Sequence, residues 1–126
     1  MNIYVAGTFH DPRISSGEIV ETLKGLGHTI VSRWHDPNVW QSESRQTTYE
    51  LRRSIAEGNY RDIDAADVVV AIPLKDHHLR GMHAEIGYAL GIKTPVYVLG
   101  DHMSLNTMTC CSGVSYIPSL TAIHNF

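Results

Sequence analysis

The chain has 126 residues, of which 43% are hydrophobic and 18% charged, a composition typical of a single globular domain covering residues 1–126. The net charge of −3 offers no basic surface to a nucleic-acid polymer. No apolar run approaches the roughly 18 residues that are needed to span a bilayer. We therefore expect neither a nucleic acid nor a membrane as a partner.

The N-terminus and the cysteines bear on the cellular setting. The first residues lead directly into a strand-like run, without the charged-then-apolar pattern of a signal peptide. Cys110 and Cys111 are adjacent and lack metal-ligand spacing, which favours a reducing environment. A cytoplasmic location is expected.

The first predicted element is a central strand over residues 3–6, which ends in the turn Gly7-Thr8-Phe9. A glycine-containing turn at this place in an α/β protein either presents backbone N–H groups to a ligand or is simply a tight turn. It is neither GxGxxG nor a P-loop. The sequence therefore gives little support to a dinucleotide site or a Walker-type nucleotide site.

A helix and a second strand follow. Ser15 and Glu18 have the Ser-x-x-Glu spacing of a capping box, and Gly27 marks the end of the helix. The apolar face between them consists of Ile19, Leu23 and Leu26. Residues 28–31 then have the pattern of a strand. Two strands joined by a helix predict a sheet that is parallel at its centre.

The polar segment 32–48 contains Trp34 and Trp40 and has little periodicity. A connection of this length in a compact domain is usually functional or mobile, which makes it our candidate for a lid. Its tryptophans either stack on a flat ring, as aromatic side chains do on bases, or fasten the loop to the body of the protein.

The next predicted helix covers residues 49–66. Its apolar stripe consists of Leu51, Ile55 and Ile63. Asn59 falls on the same stripe, where an amide is costly unless it is hydrogen-bonded. It is therefore either a satisfied packing residue or a group that points toward a ligand crevice. Asp62 and Asp64 lie off the stripe, and we expect them to be solvated or to serve as capping residues.

The centre of the chain predicts a βαβ unit with a buried strand at 68–72, a polar connector at 75–80, a helix to residue 91 and a strand at 96–99. The helix has a single apolar face. Its members are Met82, Ile86, Ala89 and Leu90.

Glu85 lies off that face, near the start of the helix, with Gly81 and Gly87 beside it. The helix dipole favours an ionised carboxylate there, and the glycines permit the close approach of a ligand. Open α/β sheets bind ligands at the carboxyl ends of their strands, so Glu85 is a candidate nucleophile. The alternative is a glutamate that only complements the dipole.

The remaining residues predict a turn at 100–102, a small and polar segment at 103–113 that could cover the site, a short strand at 115–117 and a terminal helical turn at 120–123.

Histidines near Glu85 raise the question of a metal. His77, His78 and His83 have no zinc spacing such as HExxH, so we expect no metal site and no cofactor. Arg80 is either a phosphate contact or a solvated side chain.

Three segments carry a resemblance to a known family. They are residues 3–9, the pattern Asp62-Ile63-x-x-Ala66-Asp67 before residues 68–70, and the pattern Gly81-x-His83-x-Glu85-x-Gly87-Tyr88-Ala89-Leu90-Gly91. Together they resemble the nucleoside 2-deoxyribosyltransferase superfamily, which also includes the 2′-deoxynucleoside 5′-phosphate N-hydrolases, and in particular its short phage and bacterial members.

The resemblance implies a flavodoxin-like (Rossmann-like) doubly wound sheet of five parallel strands in three α/β/α layers. It also implies a small-molecule nucleoside or nucleotide as the ligand, cleavage of an N-glycosidic bond, and a homo-oligomer of dimer size or larger. In the family, the helix glutamate attacks the anomeric carbon, expels the base and holds the sugar covalently. Glu85 is the matching position, and a carboxylate suits the trapping of an oxocarbenium-like centre.

The resemblance also assigns part of the substrate site, and the other candidates come from the residues themselves. Gly7, Thr8 and Phe9 match the turn that binds the sugar or phosphate side of the substrate. The other substrate-binding candidates are Trp34, which would cover the base, and Arg80, Gly81, Met82 and His83.

One position departs from the family pattern. The aspartate that usually stands eight residues before the position of Asp67 is Asn59 here. An amide hydrogen-bonds to a base but cannot act as a general acid, and Asp62, one helical turn further on, is the candidate substitute. Three functions follow. The first is an N-glycosidase or deoxyribosyltransferase in which Asn59 and Asp62 position the substrate, the second is a catalytically weak binding protein for a nucleotide-derived small molecule, and the third is an oligomeric scaffold with a vestigial site.

Overall fold

The computed structural model of the protein describes residues 1–36 and 48–123. Its strands are β1 (Asn2–Ala6), β2 (Thr29–Ile30), β3 (Val68–Ala71), β4 (Val96–Leu99) and β5 (Val114–Ile117). Its helices are α1 (Pro12–Ser15), α2 (Glu18–Gly25), α3 (Tyr49–Asp64) and α4 (Arg80–Gly91), with short 3₁₀ turns at Thr107–Thr109 and Leu120–Ala122.

The five strands form one parallel sheet in the order β2-β1-β3-β4-β5. This is the flavodoxin-like order, and it confirms the predicted fold class. Alternation along β1 shows how the helices are distributed. A Cβ on Gly7 would meet Ile14 of α1, whereas Tyr4, of opposite parity, interacts with Glu85 of α4. The helices therefore cover both faces of the sheet.

The two central strands are almost completely buried, from Ile3 to Ala6 in β1 and along all of β3. Strands covered on both faces have continuous apolar runs, which is why the sequence predicted them so directly. Truncation of Val70, for example, is expected to cost about 2 kcal/mol through lost burial and cavity formation.

The predicted capping box is wrong. Asp11 caps an earlier one-turn helix, α1, by accepting a hydrogen bond from the Arg13 N–H at 2.9 Å, and Ser15 is the last residue of that helix. The N-cap of α2 is Gly17, at φ +83, without a side-chain cap. The Asp-Pro pair at 11–12 competes with the serine signal because proline favours the first helical position.

Two other boundaries can be compared with expectation. Gly27 follows the end of α2 at φ +94, the conformation that glycine tolerates, so its predicted role is confirmed. Strand β2 is shorter than the predicted 28–31, with only two residues in the ladder.

Part of the predicted lid, including Trp40, lies outside the described residues. Within the described ranges, no helix is long and apolar enough to cross a membrane.

Candidate active site

Glu85 is positioned by the way in which α4 packs. Met82, Ile86 and Ala89 are buried against the sheet. Because Glu85 precedes Ile86 by one residue, its side chain is turned to the side of that apolar face, toward α3. The apolar stripe thus orients the carboxylate without contacting a ligand itself.

A cavity of about 250 Å³ lies between α3 and α4. It is lined by Arg52, Ile55, Ala56, Asn59, Tyr60, Gly81, Ala84 and Glu85. Asn59 and Glu85, which are 26 residues apart in the chain, therefore face the same space from opposite helices. Gly81 contributes a wall without a side chain, as the sequence suggested, whereas Gly87 is exposed and is not among the lining residues.

Beneath Glu85 lies Tyr4, a residue that the sequence analysis missed. Tyr4 is completely buried in β1, and neither its hydroxyl nor Glu85 Oε2 has a hydrogen-bond partner of ordinary geometry among the described residues. The two groups are nevertheless close enough to change each other's ionisation. Burial and the neighbouring Glu85 carboxylate raise the pKa of Tyr4 far above its usual value. Tyr4 is therefore a neutral phenol, able to donate to the carboxylate.

The only sequence signal for Tyr4 is its presence in an otherwise aliphatic central strand. A tyrosine buried there needs a partner for its hydroxyl, and a buried polar group of this kind often marks a site.

Burial raises the pKa of Glu85 from 4.5 to about 7, and the Tyr4 hydroxyl opposes part of that rise. The expectation that the helix dipole keeps this carboxylate ionised is therefore wrong. A dipole contributes about 0.3–1 kcal/mol and only within the first turn, whereas Glu85 is the sixth residue of α4. Desolvation is the larger effect. Both protonation states of Glu85 are populated near neutral pH.

Asp62 was expected to be solvated or capping, and this is wrong. It is buried, with 11% of its side chain exposed, and accepts two hydrogen bonds from Arg33 at 2.9 and 3.2 Å. It does not appear among the residues that line the cavity. Its partner lies 29 residues away in the chain, so a helical pattern alone could not reveal the pairing. Asp64 is exposed, as expected, and accepts a hydrogen bond from the Tyr88 hydroxyl at 2.7 Å.

The turn after β1 is closely packed. A Cβ on Gly7 would lie 2.5 Å from Ile14 Cδ1, so the position requires glycine. The Thr8 hydroxyl accepts a hydrogen bond from the His10 N–H at 3.2 Å. Phe9 packs edge-on against Trp34 at a centroid distance of 5.4 Å. None of the three turn residues is among those that line the cavity of Glu85.

An ion pair between a partly exposed arginine and a buried aspartate, also missed, ties this turn to the loop that leads into α4. Arg13 donates to both carboxylate oxygens of the fully buried Asp11, at 3.0 and 2.7 Å. It also donates to the Pro73 carbonyl at 3.0 Å. The loops that follow β1 and β3 are thereby held together at the carboxyl edge of the sheet.

Trp34 is fastened to the body of the protein. It is 9% exposed, and its indole N–H donates to the Val5 carbonyl at 2.6 Å. The structure thus supports the second of the two sequence interpretations. In this position Trp34 is not available to cover a base.

The remaining substrate-binding candidates lie in different environments and do not share one cavity. Arg80 is exposed, and Met82 is 1% exposed within the core, where its side chain cannot reach a ligand. His83 lines a different cavity of about 550 Å³, together with His77, His78 and residues 103–105. The beginning of the predicted covering segment therefore lies over this second cavity, on the other side of α4. Within residues 1–36 and 48–123, no cluster of three or more His, Cys, Asp or Glu side chains could hold a metal ion.

Comparisons with known proteins agree with this architecture. A family model described as nucleoside 2-deoxyribosyltransferase matches residues 3–113. A solved structure of a 2-deoxyribosyltransferase from Bacillus psychrosaccharolyticus superposes with a TM-score of 0.72 at 20% identity, over 93% of this chain and 85% of the other. A CMP N-glycosidase of Clostridium botulinum gives 0.58 at 16% identity, over 93% and 87%. No curated protein sequence matches the chain.

Proposed function

Since the chain belongs to the nucleoside 2-deoxyribosyltransferase family, we propose that it cleaves or transfers at the N-glycosidic bond of a nucleoside or its 5′-monophosphate, with Glu85 as the nucleophile. The observation that supports this proposal most strongly is the pairing of Asn59 with Glu85 across one cavity. The carboxylate there is largely buried and its Oε2 has no hydrogen-bond partner among the described residues. An unsatisfied buried acid in a cavity is typical of a reacting group.

In the proposed reaction, a Glu85 oxygen attacks the anomeric carbon as the bond from that carbon to the base breaks. The transition state has oxocarbenium character, which a nearby carboxylate stabilises and then traps as a glycosyl ester. Water opens the ester in a hydrolysis, and a second base opens it in a transfer.

Tyr4 acts as a positioning residue in this scheme. Its neutral hydroxyl favours the ionised form of Glu85, which is the nucleophilic form. It also limits the directions in which the carboxylate turns, so that the other oxygen faces the cavity. Asn59 contacts the base. The sugar or phosphate side is proposed to extend out of the cavity toward the turn at Gly7 and Thr8, which does not line the cavity itself and which the Asp11–Arg13 pair holds in place.

The substitution at Asn59 favours a second candidate, a binding protein with little turnover. Removal of a general acid typically costs about 10²–10⁴ in rate, and Asp62 is bound to Arg33 rather than directed into the cavity. Such a protein would still bind a nucleotide-derived molecule between α3 and α4.

A turnover screen distinguishes the two candidates. Ribo- and deoxynucleosides and their 5′-monophosphates are incubated with wild type, with and without an acceptor base, and free or exchanged base is measured by chromatography. Glu85→Gln tests the nucleophile at nearly constant volume. Glu57→Gln, on the exposed side of α3, is the matched control. Base release by wild type and Glu57→Gln alone supports the enzyme. Nucleotide binding by all three proteins without any base release supports the binding protein.

We also propose that the chain forms a homo-oligomer. The cavity of about 250 Å³ is smaller than the roughly 300–1,000 Å³ of usual ligand pockets, so a second copy that adds a wall would bring it into that range. Light scattering tests this, and a monomer at working concentration refutes it. The cytoplasmic location stays a prediction.

A further inference from the structure

The polar groups around the cavity define what a leaving base can meet there. Among the described residues that line the cavity, four offer polar side-chain atoms, namely Arg52, Asn59, Tyr60 and Glu85. Glu85 is the only carboxylic acid among them, and the proposed reaction uses it as the attacking group. Arg52 and Asn59 donate hydrogen bonds but have no proton to transfer near neutral pH. Tyr60 offers a phenol, and phenols as a class are much weaker acids than carboxylic acids.

The other carboxylates in the second half of α3 are all held by partners elsewhere. Glu57 pairs with Arg53 at 3.1 Å, and Asp62 pairs with Arg33. Asp64 accepts a hydrogen bond from the Tyr88 hydroxyl. None of these three carboxylates lines the cavity. The wall that α3 presents to the cavity is therefore a hydrogen-bond donor wall without an acid.

The two helices place this wall opposite the nucleophile. Displacement at the anomeric carbon is in line, so a base leaves on the side away from the attacking carboxylate. Glu85 belongs to α4, and Arg52 and Asn59 belong to α3 on the other side of the cavity. The base therefore departs toward donors that stabilise negative charge, and the guanidinium of Arg52 makes no ion pair within the described ranges.

We propose that the preferred substrates carry a 2,4-dioxopyrimidine base, of the uracil or thymine type, which leaves as an anion. This inference rests on the proposed function. As the carboxylate oxygen of Glu85 bonds to the anomeric carbon, the bond from that carbon to N1 breaks and its electron pair passes to N1. The charge spreads onto O2 and O4, where Asn59 and Arg52 donate hydrogen bonds. The oxygen of water then bonds to the anomeric carbon as the ester bond from that carbon to Glu85 breaks. Glu85 leaves as a carboxylate, and the proton released by water neutralises the base anion.

Cytosine lacks the second carbonyl oxygen and is a poorer anion, so it leaves readily only when it is protonated. A site without a general acid therefore discriminates against cytosine through the chemical step rather than through binding. The amide of Asn59 can present a donor or an acceptor to either base, so binding alone would not separate them.

The first experiment measures single-turnover base release by wild type from four 2-deoxyribose 5′-monophosphates that differ only in the base. The bases are 5-fluorouracil, uracil, thymine and cytosine. We expect 5-fluorouracil to leave fastest, because fluorine makes the base more acidic, and cytosine to leave at least about 100-fold more slowly than uracil. Cytosine release at the uracil rate overturns the inference and leaves the proposed function standing. No release from any of the four, or from the matching nucleosides, overturns the inference. The proposed function fails with it only when the ribose and purine substrates of the turnover screen also release no base.

The second experiment restores the acid. Asn59→Asp should raise cytosine release about tenfold or more at slightly acidic pH and reduce the dependence on base acidity. Ser54→Asp, which adds a carboxylate to the exposed side of the same helix, should leave the rates unchanged. Tyr60→Phe should retain the uracil preference. If Tyr60→Phe instead removes uracil release while binding persists, the phenol protonates the base and the inference is wrong.

Discussion

Asp62 on α3 is buried, and Glu85 on the facing helix α4 is partly buried with a buried Oε2 atom, but the two carboxylates differ in how they are stabilised. Asp62 is held by two hydrogen bonds from the guanidinium of Arg33. Glu85 has no ion-pair partner among the described residues; the Tyr4 hydroxyl favours its ionised form, but burial outweighs this and raises its pKa to about 7. A buried charge with a partner is a structural feature, whereas one left without a partner costs stability and is kept where it reacts. The comparison therefore separates a residue that holds the fold from a residue proposed to perform the chemistry.

The largest expected difference between the two residues is in turnover. Glu85→Gln should reduce base release by about 10⁴-fold or more, since it removes the nucleophile. Asp62→Asn should reduce it by less than about tenfold, because Asp62 does not line the cavity. Single-turnover rates on the best substrate measure both. Equal losses in the two variants would remove the distinction and return Asp62 to the catalytic set.

The two residues should also differ in the pH dependence of stability. The folded-state pKa of Glu85, about 7, lies above its ordinary 4.5, so the folded form binds the proton more tightly. The contribution of the Glu85 side chain to the free energy of unfolding is fully present below pH 4.5 and is lost as the pH rises through 7. Glu85→Gln should therefore be more stable than wild type at pH 8, by at most about 3 kcal/mol, and should show little advantage at pH 4.5. Urea unfolding at the two pH values tests this, and a destabilised Gln variant at pH 8 contradicts it.

Tyr4→Phe tests how the buried hydroxyl affects the ionisation of Glu85. Without the hydroxyl, the pKa of Glu85 should rise further, because the phenol is the group that favours the ionised form. The acidic limb of the rate profile should move to higher pH, with a loss of about tenfold at pH 7 that is partly recovered at pH 9. Stability should change little, since one unsatisfied polar atom is removed from the core. A uniform loss at all pH values would indicate a packing role instead.

The sequence could predict the βαβ unit and the parallel sheet because continuous apolar runs and helical stripes are local patterns. Asn59 was noticed for the same reason, as an amide on an apolar stripe. Glu85 was singled out by its place near the start of the helix that follows the buried strand, and the family pattern then matched that position. The ionisation state of Glu85 could not be predicted. It depends on desolvation between α3, α4 and β1, which outweighs the dipole that a local pattern suggests.

Long-range partners account for the remaining differences. Asp62 pairs with Arg33, Trp34 bonds to Val5, and Arg13 bonds to Pro73, 60 residues away. Each residue is polar or amphipathic, so its sequence context is equally consistent with exposure. Only the three-dimensional packing of the segments around β1, β2 and β3 shows which of these side chains are bound to the body of the protein.

The smallest expected effect concerns the ion pair itself. Arg33 is 62% exposed on its side chain, so solvent screens its attraction to Asp62, and the pair contributes like a surface ion pair. Arg33→Gln should lower the free energy of unfolding by about 1 kcal/mol. Asp62→Asn should lower it by about 1–2 kcal/mol, because the buried side chain then accepts only one of the two hydrogen bonds that Arg33 donates. The double variant measured by urea unfolding gives the coupling between them. A coupling near zero would mean that Asp62 is stabilised by other neighbours. A loss of base release in Arg33→Gln without a loss of stability would mean that the Arg33–Asp62 pair contributes to catalysis.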